Sequence, residues 1–364
     1  MNWLDMSEDK MVHHLLKIQY PIIQAPMHGV TTADMVAAVS TTGALGSLPL
    51  GGLSPVKAGA LINEVKSKTD KPFAINLFAH PISEIDPAAV NQMLQYLESV
   101  YSKYGLKMDQ ADLAALKHYN HFDLVHTVLD EQIVAVSFTF GNLDQETIAI
   151  FKSHGKLLIG TATSIEEAIL LNETGVDAIV VQGFEAGGHR GTFLNEDKLP
   201  QVGLFSLLPQ IADKVAIPLI AAGGIFDHRT VKAALALGAS GVQIGSLFLA
   251  ADESDASESY KDDVLKSTDT STSLTQGFSG RWARGIKNMF MEEHELSGIA
   301  ALPYPYQNTL TGPLRAHAKV NDLMEITSLW AGQSAAAAKR AGCAEILEEL
   351  IKTLKADNIP GFTT

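Results

Sequence analysis

Short apolar runs recur along the first 250 residues and alternate with segments of helical pattern. Most of these runs are apolar throughout, which is typical of parallel strands that are covered on both faces. The runs predict eight strands: Ile22–Ala25, Ala44–Ser47, Phe73–Leu77, Ile133–Phe138, Leu157–Thr161, Ala178–Gln182, Pro218–Ala222 and Gly241–Gly245. The intervening segments predict helices at Thr32–Thr41, Leu53–Ser67, Gln145–His154, Ser164–Thr174, Leu204–Val215 and Asp227–Leu237.

Alternation of this kind over about 250 residues predicts an α/β fold, the (β/α)8 or TIM barrel. A doubly wound open sheet is the competing fold, but it more often has five or six strands and a glycine fingerprint after the first. Here the glycines concentrate after the sixth, seventh and eighth predicted strands. The pattern therefore favours the barrel, over residues 1–250.

Two segments do not fit the simple repeat. Residues 81–130 are too long for one crossover and predict a helical insertion with helices at Val90–Tyr104, Gln110–Leu116 and Phe122–Leu129. Residues 251–364 begin with a polar, acidic linker or solvated helix, and predict a smaller, α-rich C-terminal region that covers the active site. The spacing of His118, His121 and His126 could suggest a metal, but without a cysteine or carboxylate pattern we interpret them as a solvated helix face and expect no metal.

Composition narrows the classes of partner. The net charge is −14, from 41 acidic and 27 basic residues, which argues against nucleic acid and favours small-molecule chemistry. Cys343 is the one cysteine, so a disulfide within the chain is impossible and a reducing compartment is expected. The acidic N-terminus lacks the apolar stretch of a secretory signal. No apolar run reaches the roughly 18 residues of a membrane span, so we expect a cytoplasmic, soluble protein.

Candidate chemistry lies after the seventh and eighth predicted strands, where barrels often bind phosphate. Gly223-Gly224 allows close backbone approach to an anion, and Gly245-Ser246 adds an amide and a hydroxyl near a helix start. Either pair alone is as consistent with a tight turn as with a ligand site. Together, on adjacent strands, they favour phosphate binding.

Other polar groups follow the remaining strands. Met27, Asn76 and Gln182 stand where side chains would face the same barrel mouth, and they suit a flat heteroaromatic ring with polar edges. His189 lies on the glycine-rich loop after the sixth strand, between Glu185 and Arg190. Because imidazole can exchange protons near neutral pH, His189 is the candidate catalytic residue.

Ordered motifs connect these positions to a known family. "YPIIQAPM", "FAINLF", "LIGTATS", "DAIVVQGFEAGGHRG", "PLIAAGGI", "GVQIGSLFL", "FSGRWARGI", "PYPYQN" and "LWAGQSA" together resemble nitronate monooxygenase, the FMN-dependent family long called 2-nitropropane dioxygenase. The resemblance runs from about Tyr20 to Ala335. "EAGGHRG" is shared with related flavin barrels, including enoyl-acyl-carrier-protein reductases, whereas "FSGRWARGI" and "WAGQ" favour the monooxygenases.

The resemblance implies roles for particular residues. Asn76, Gln182, Gly187 and Gly224 match positions that hold FMN, Met27 matches a backbone segment that meets the flavin ring, and His189 matches the active-site histidine. The phosphate-binding segment of the family corresponds to Gln243, Ile244, Gly245 and Ser246. His28-Gly29-Val30 departs from the small residue and paired glycines that usually follow "QAPM", and His28 could itself reach the site.

The implied activity is oxidation of alkyl nitronates, such as propionate 3-nitronate, with O2 to a carbonyl compound and a nitrogen oxide, a detoxification. Tyr304, Tyr306 and Lys287 are candidates for the substrate side. The alternatives are an NAD(P)H-dependent FMN reductase of an enoyl thioester or quinone, a non-redox phosphate-binding barrel and a ligand-binding barrel. A homo-oligomer is compatible with the sequence, which leaves the oligomeric state open.

Overall fold

The computed structural model describes residues 11–82, 84–108, 118–130, 132–194 and 199–363. The strands are β1 (Ile22–Gln24), β2 (Ser47–Pro49), β3 (Phe73–Phe78), β4 (Ile133–Thr139), β5 (Leu157–Ala162), β6 (Ala178–Gln182), β7 (Gly188–His189), β8 (Leu219–Ala222), β9 (Gly241–Ile244), β10 (Thr272–Thr275) and β11 (Ala283–Ile286). The α-helices are α1 (Val12–Leu16), α2 (Ala33–Thr41), α3 (Pro55–Lys68), α4 (Pro87–Lys103), α5 (His121–Leu124), α6 (Gln145–Ser153), α7 (Ile165–Glu173), α8 (Leu204–Ala212), α9 (His228–Ala236), α10 (Glu258–Lys266), α11 (Met289–Ser297), α12 (Tyr306–Asn321) and α13 (Cys343–Ala356).

The main sheet is a nearly closed barrel. Its eight strands run parallel in the order β1-β9-β8-β6-β5-β4-β3-β2, and a bridge between Ile23 and Leu45 joins the two ends of that order. The predicted TIM barrel is therefore confirmed. The second strand is shifted from the predicted Ala44–Ser47 to Ser47–Pro49, because Leu45 forms only the isolated bridge.

The barrel helices begin where the sequence supplies side-chain caps. A hydroxyl or carboxylate accepts a hydrogen bond from the first turn, which satisfies an amide that has no partner inside the helix. These capping residues are Thr32, Ser54, Asp144, Ser164 and Asp227. Strand residues are buried on both faces, as their apolar runs predicted. One face packs against the surrounding helices in the main hydrophobic core, and the other fills the interior of the barrel in a separate cluster that includes Ile23, Ile159 and Ile220.

The predicted insertion contributes α4, α5 and a 3-10 helix over Val125–Val128, whereas the predicted helix Gln110–Leu116 lies outside the described residues. Helix α4 packs mainly against the C-terminal region in a second hydrophobic cluster. The Tyr101 hydroxyl donates to the Leu310 carbonyl at 2.8 Å and accepts from the Leu314 amide at 3.1 Å. The final helix, α13, packs instead against α2 and α9 of the barrel.

A small antiparallel sheet connects the C-terminal region to the barrel mouth. Its order is β10-β11-β7, and Ala283 in β11 pairs with His189 in β7. This pairing fixes the loop after β6 against residues nearly a hundred positions later. No helix among the described residues combines the length and apolar character needed to cross a membrane.

Candidate active site

A cavity of about 1380 Å³, counting the open space at its mouth, lies at the carboxyl ends of the barrel strands. Nearly all the residues singled out from the sequence line it, namely Met27, Asn76, Gln182, Gly187, His189, Gly224, Gln243, Gly245 and Ser246. Ile244 does not line it. Its side chain is 1% exposed and lies in the hydrophobic core, because successive strand residues point to opposite faces.

Backbone donors gather at the ends of β8 and β9. Gly223 and Gly224 have φ angles of 105° and 70°, a left-handed conformation that glycine adopts readily. Within the part of the chain that the structure describes, the amides of Gly223, Gly224, Gly245 and Ser246 have no hydrogen-bond acceptor. These four residues are half-buried and line the cavity, so their amides are available to a ligand, and this end of the cavity is suited to the oxygens of a phosphate.

Residues 330–334, here called the closing segment, cover this end of the cavity. The Gly332 amide donates to Ser246 Oγ at 2.9 Å, and the Gln333 amide donates to the Glu185 carbonyl at 3.0 Å. A Cβ on Gly187 would lie 2.4 Å from the Gly332 amide nitrogen. The closing segment thus packs directly on Gly187, which explains the need for glycine there. Trp330, Gly332 and Ser334 also line the cavity. They lie in the "LWAGQSA" motif, but none of them was assigned a role in the site from the sequence.

His189 is held in place through both its backbone and its ring. Gln182 Nε2 donates to the His189 carbonyl at 2.9 Å, and Gln182 Oε1 accepts from the Gly191 amide at 2.9 Å. The Gln182 amide therefore lines the cavity while it braces the loop. The His189 Nε2 atom lies 2.8 Å from the Ser279 hydroxyl. Ser279, which was not singled out from the sequence, lies in the "FSGRWARGI" motif.

The environment of His189 keeps its ring neutral. Burial lowers the pKa of His189 to about 3, and the nearby Arg281 and Arg315 guanidiniums add to the shift. The ring faces a cavity enclosed by protein, with Trp330 at 5.4 Å and Phe140 at 5.6 Å between ring centres. At pH 7 His189 can therefore accept or donate a hydrogen bond through a neutral ring, but it carries no charge.

The tautomer of His189 depends on the Ser279 hydroxyl, which has a single proton. That hydroxyl lies 2.8 Å from His189 Nε2 and 3.2 Å from the Arg281 carbonyl. If it donates to the carbonyl, Nε2 carries the ring proton and Nδ1 is an acceptor; if it donates to Nε2, Nδ1 is a donor. Nδ1 has no hydrogen-bond partner among the described residues, so it is the nitrogen left for a ligand.

The two charged neighbours of His189 in the sequence have structural contacts. Arg190 is buried, and its guanidinium donates to the carbonyls of Gly183 and Gln182. Both carboxylate oxygens of Glu185 accept from the Leu204 amide at 2.9 Å, at the start of α8. Arg190 and Glu185 therefore hold the loop after β6 and the following helix.

The candidates for the substrate side are dispersed. His28 lines the cavity, and burial together with the Arg315 charge lowers the pKa of its ring. Tyr304 packs against His80 with ring centres 4.6 Å apart. Tyr306 packs on His118 at 5.2 Å, and Lys287 is exposed. Only His28 of these residues lines the cavity directly.

The donor set fits a flavin. The unpaired glycine amides suit a phosphate, and the Asn76 and Gln243 side chains line the cavity with polar groups suited to the edge of a flat ring. Asn76 Nδ2 donates to Ser137 Oγ at 2.9 Å, which fixes the orientation of its amide. No group of three or more metal-ligating side chains occurs among the residues that the structure describes.

Comparison with known proteins identifies relatives across nearly the whole chain. The family model described as nitronate monooxygenase matches residues 9–353. A probable nitronate monooxygenase of Bacillus subtilis (strain 168) is 44% identical over 314 residues, which are 86% of this chain and 89% of that protein. Another, of Staphylococcus aureus (strain JH9), is 41% identical over 322 residues, which cover 88% of this chain and 90% of that protein.

Two solved structures show the same architecture. A nitroalkane oxidase from Streptomyces ansochromogenes has a TM-score of 0.86 and 34% identity, with 95% of this chain and 98% of that chain covered. FabK from Thermotoga maritima has a TM-score of 0.73 and 29% identity, with 95% and 96% covered. Similarity in both sequence and structure therefore extends over the barrel and the C-terminal region.

Proposed function

Because the chain belongs to the nitronate monooxygenase family, whose members are flavin-dependent oxidoreductases acting on nitronates, we propose a specific reaction. The protein oxidises alkyl nitronates, such as propionate 3-nitronate, with FMN and O2. The products are a carbonyl compound and an inorganic nitrogen oxide, and we propose detoxification of the nitronate as the role of the reaction. The observation that carries this proposal is the neutral His189 ring, held by Ser279 in a cavity whose other residues suit a flavin.

FMN is the flavin that the donor set favours. The free amides at the ends of β8 and β9 suit one terminal phosphate, and the sequence has no dinucleotide fingerprint after β1. Gly224, Gly245 and Ser246 would hold the phosphate, and Asn76 and Gln243 would contact the ring. When bound, the flavin supplies the electron transfer, while the protein supplies position and polarity.

The structure favours one of two roles for His189. A base with a pKa of about 3 is poorly matched to a carbon acid, because each pKa unit of mismatch costs about 1.4 kcal/mol. A neutral ring with a proton on Nδ1, by contrast, can donate a hydrogen bond to an oxygen of a pre-formed nitronate. We therefore propose that His189 orients the nitronate, with the Ser279 hydroxyl donating to Nε2.

Residues around His189 would restrict access of water to the substrate. Phe140 and Trp330 pack against the ring, and both line the cavity. An apolar surround strengthens a hydrogen bond from His189, since fewer water molecules compete for the nitronate oxygen. This arrangement supports turnover of the anion over the neutral nitroalkane.

Oxygen consumption by the purified protein tests the proposal. We expect non-covalent FMN, identified by chromatography of heat-released cofactor against FMN and FAD standards, and oxygen uptake with pre-formed propyl 1-nitronate. The same preparation is given NADH or NADPH with an enoyl thioester or a quinone. Oxidation of the nicotinamide without turnover of any nitronate would overturn the proposal in favour of a reductase. Location in the cytoplasm and assembly as a homo-oligomer stay predictions.

A further inference from the structure

His28 lines the cavity on a tight turn directly after β1. The Val30 amide donates to the Met27 carbonyl at 3.1 Å, so His28 and Gly29 are the two central residues of the turn. Gly29 has a φ of 80°, which fits the left-handed second central position of a type II turn. A Cβ added to Gly29 would have no neighbouring atom within 4 Å. His28 is therefore carried at the outer edge of the barrel mouth.

Hydrogen bonds hold this turn on both sides. The Thr31 hydroxyl accepts from the Met27 amide at 3.1 Å and from Gln24 Nε2 at 3.0 Å, and Gln24 is fully buried. On the outer side, the Asp255 amide donates to the Val30 carbonyl at 2.9 Å. Because the backbone of the turn is anchored in this way, the position of the His28 ring depends mainly on its own side-chain rotation.

The His28 ring faces the cavity rather than bulk solvent. The residue is exposed, yet burial by the surrounding protein lowers the pKa of the ring, with a smaller contribution from the Arg315 charge. The Gly51 backbone opposes this shift, which is the effect of a carbonyl oxygen near the ring. A side chain that is open on one side and desolvated by protein on the others borders an enclosed space, and the cavity is that space.

Across the mouth from His28 is the segment that carries His189. In the closed strand order, β5 lies opposite β1. A Cβ on Gly191, two residues after His189, would lie 2.6 Å from Thr161 Cγ2 near the end of β5, so this segment crosses the opposite strand. A charge on His28 also lowers the pKa of His189, after the larger effects of burial and of two arginines. The two rings therefore border the same space from opposite sides.

Aromatic side chains narrow the rest of this space. Phe140 and Trp330 pack against the His189 ring, and all three line the cavity. Phe78 lines it too, with its ring centre 4.7 Å from that of Phe140. Rings packed on one another adjust little to a larger ligand. His28 differs because it stands at the open edge, where loss of its ring would widen the mouth without leaving a hole in the packed core.

We propose that the His28 ring sets the width of the cavity mouth and thereby restricts the reaction to nitronates with slender tails. The inference rests on the proposed function, and it makes His28 a specificity-determining residue. The role is steric, and the size and position of the ring supply it whether or not the ring is protonated. Loss of the ring should admit substrates that carry a bulky group beyond the reacting carbon.

Two pre-formed nitronates that differ at one end test the proposal. They derive from 1-nitropropane and from 2-phenyl-1-nitroethane, in which a phenyl ring replaces the terminal methyl group. In His28→Ala, the ratio of kcat/KM for the phenyl substrate to kcat/KM for the propyl substrate should rise roughly 10-fold or more, since even one misfitting methylene group costs a factor of about 10–200. The reacting group is the same in both substrates, so the ratio reports the fit of the tail.

His28→Phe separates the size of the ring from its chemistry. Phenylalanine keeps a planar ring but lacks both nitrogens, so this variant should retain the wild-type ratio. His154→Ala, at an exposed histidine that ends α6, is the matched control and should also retain it. Flavin content and circular dichroism check folding, and His28→Ser replaces the alanine variant if that variant does not fold. An unchanged ratio in the small variant would overturn the proposal, as would equal losses with both substrates in the small and phenylalanine variants, which would indicate a polar role.

Failure of the proposed function gives a different result. If the wild type oxidises neither nitronate, the proposed reaction is wrong, and the width of the mouth is then measured by fluorescence quenching. Trp330 lines the cavity, so acrylamide and the bulkier succinimide, added separately, report access to it. The contribution of Trp330 is the difference between each protein and its Trp330→Phe counterpart. A larger gain in quenching by succinimide than by acrylamide in His28→Ala supports the proposal, and an equal gain or no gain overturns it.

Discussion

Replacing His189 with asparagine separates the two possible roles of this ring. Asparagine retains a hydrogen-bonding amide of smaller size, but it cannot act as a proton acceptor near neutral pH. It also breaks the contact between Nε2 and the Ser279 hydroxyl, which is 2.8 Å long. The backbone of residue 189 stays held by Gln182 and by pairing with Ala283. We therefore expect His189→Asn to fold and to retain flavin.

The structure gives the expected magnitudes. With a pre-formed nitronate no proton is abstracted, so the variant loses only a hydrogen bond to an anion, about 1.5–3 kcal/mol. That corresponds to a fall in kcat/KM of roughly 10- to 150-fold. A general base would contribute about 10²–10⁴-fold. Because the pKa of His189 is about 3 rather than 6.5, the wild type itself should use a neutral nitroalkane poorly.

The assay measures oxygen uptake by wild type and variant with neutral 1-nitropropane and with its pre-formed nitronate. His154→Asn, at an exposed histidine that ends α6 just before β5 begins, is the control. A pH profile completes the set. Since the folded pKa is about 3, kcat/KM for the nitronate should show no His189 titration between about pH 6 and pH 9.

Two results would refute this reasoning. One is a far larger loss with the neutral nitroalkane than with the nitronate, which would make His189 the base. The other is an inflection near pH 6.5 in the wild type that disappears in His189→Asn, because it would show that the ring is protonated near neutral pH despite its burial. Unchanged rates with both substrates would leave His189 without a role in turnover.

Three further predictions follow from the fold. Gly224→Val should abolish FMN binding in a fluorescence titration. Gly155→Val is the control, because Gly155 has a φ of 69°, close to the 70° of Gly224, but has open space around it; this variant should bind FMN normally. Gly332→Ala should lower both Tm and flavin content, because the new Cβ would lie 2.9 Å from the Glu185 carbonyl oxygen. Gly312→Ala is the control: its Cβ would have no neighbouring atom within 4 Å, so neither Tm nor flavin content should change appreciably. Burial lowers the pKa of His80 from 6.5 to about 4, so the unfolded chain takes up its proton first and stability falls as pH drops from about 6.5 to 4, by up to about 3 kcal/mol. In calorimetry this decline should be shallower for His80→Leu, and an equally steep decline would contradict the assignment.

Local sequence was sufficient for the architecture and for part of the site. Apolar runs and capping residues act over a few positions, so they predicted the eight strands and the start of most barrel helices. Once the strands are parallel, their carboxyl ends meet at one face, which is why Met27, Asn76, Gly224 and His189 could be assigned to one cavity. Ile244 shows the limit of a motif, because the strand turns its side chain into the core.

Only the tertiary structure decided the chemistry of the cavity. The tautomer of His189 depends on Ser279, which is 90 residues away in the sequence. The pKa of His189 depends on burial by segments that are distant in the sequence. The closing segment reaches Gly187 and Ser246 from residues more than 80 positions later in the chain. Periodicity records which face of an element is buried, but not which distant element buries it. The pKa of His189 and the hydrogen-bond partners of Arg190 depend on which distant elements surround them, so both are defined only when the chain has folded.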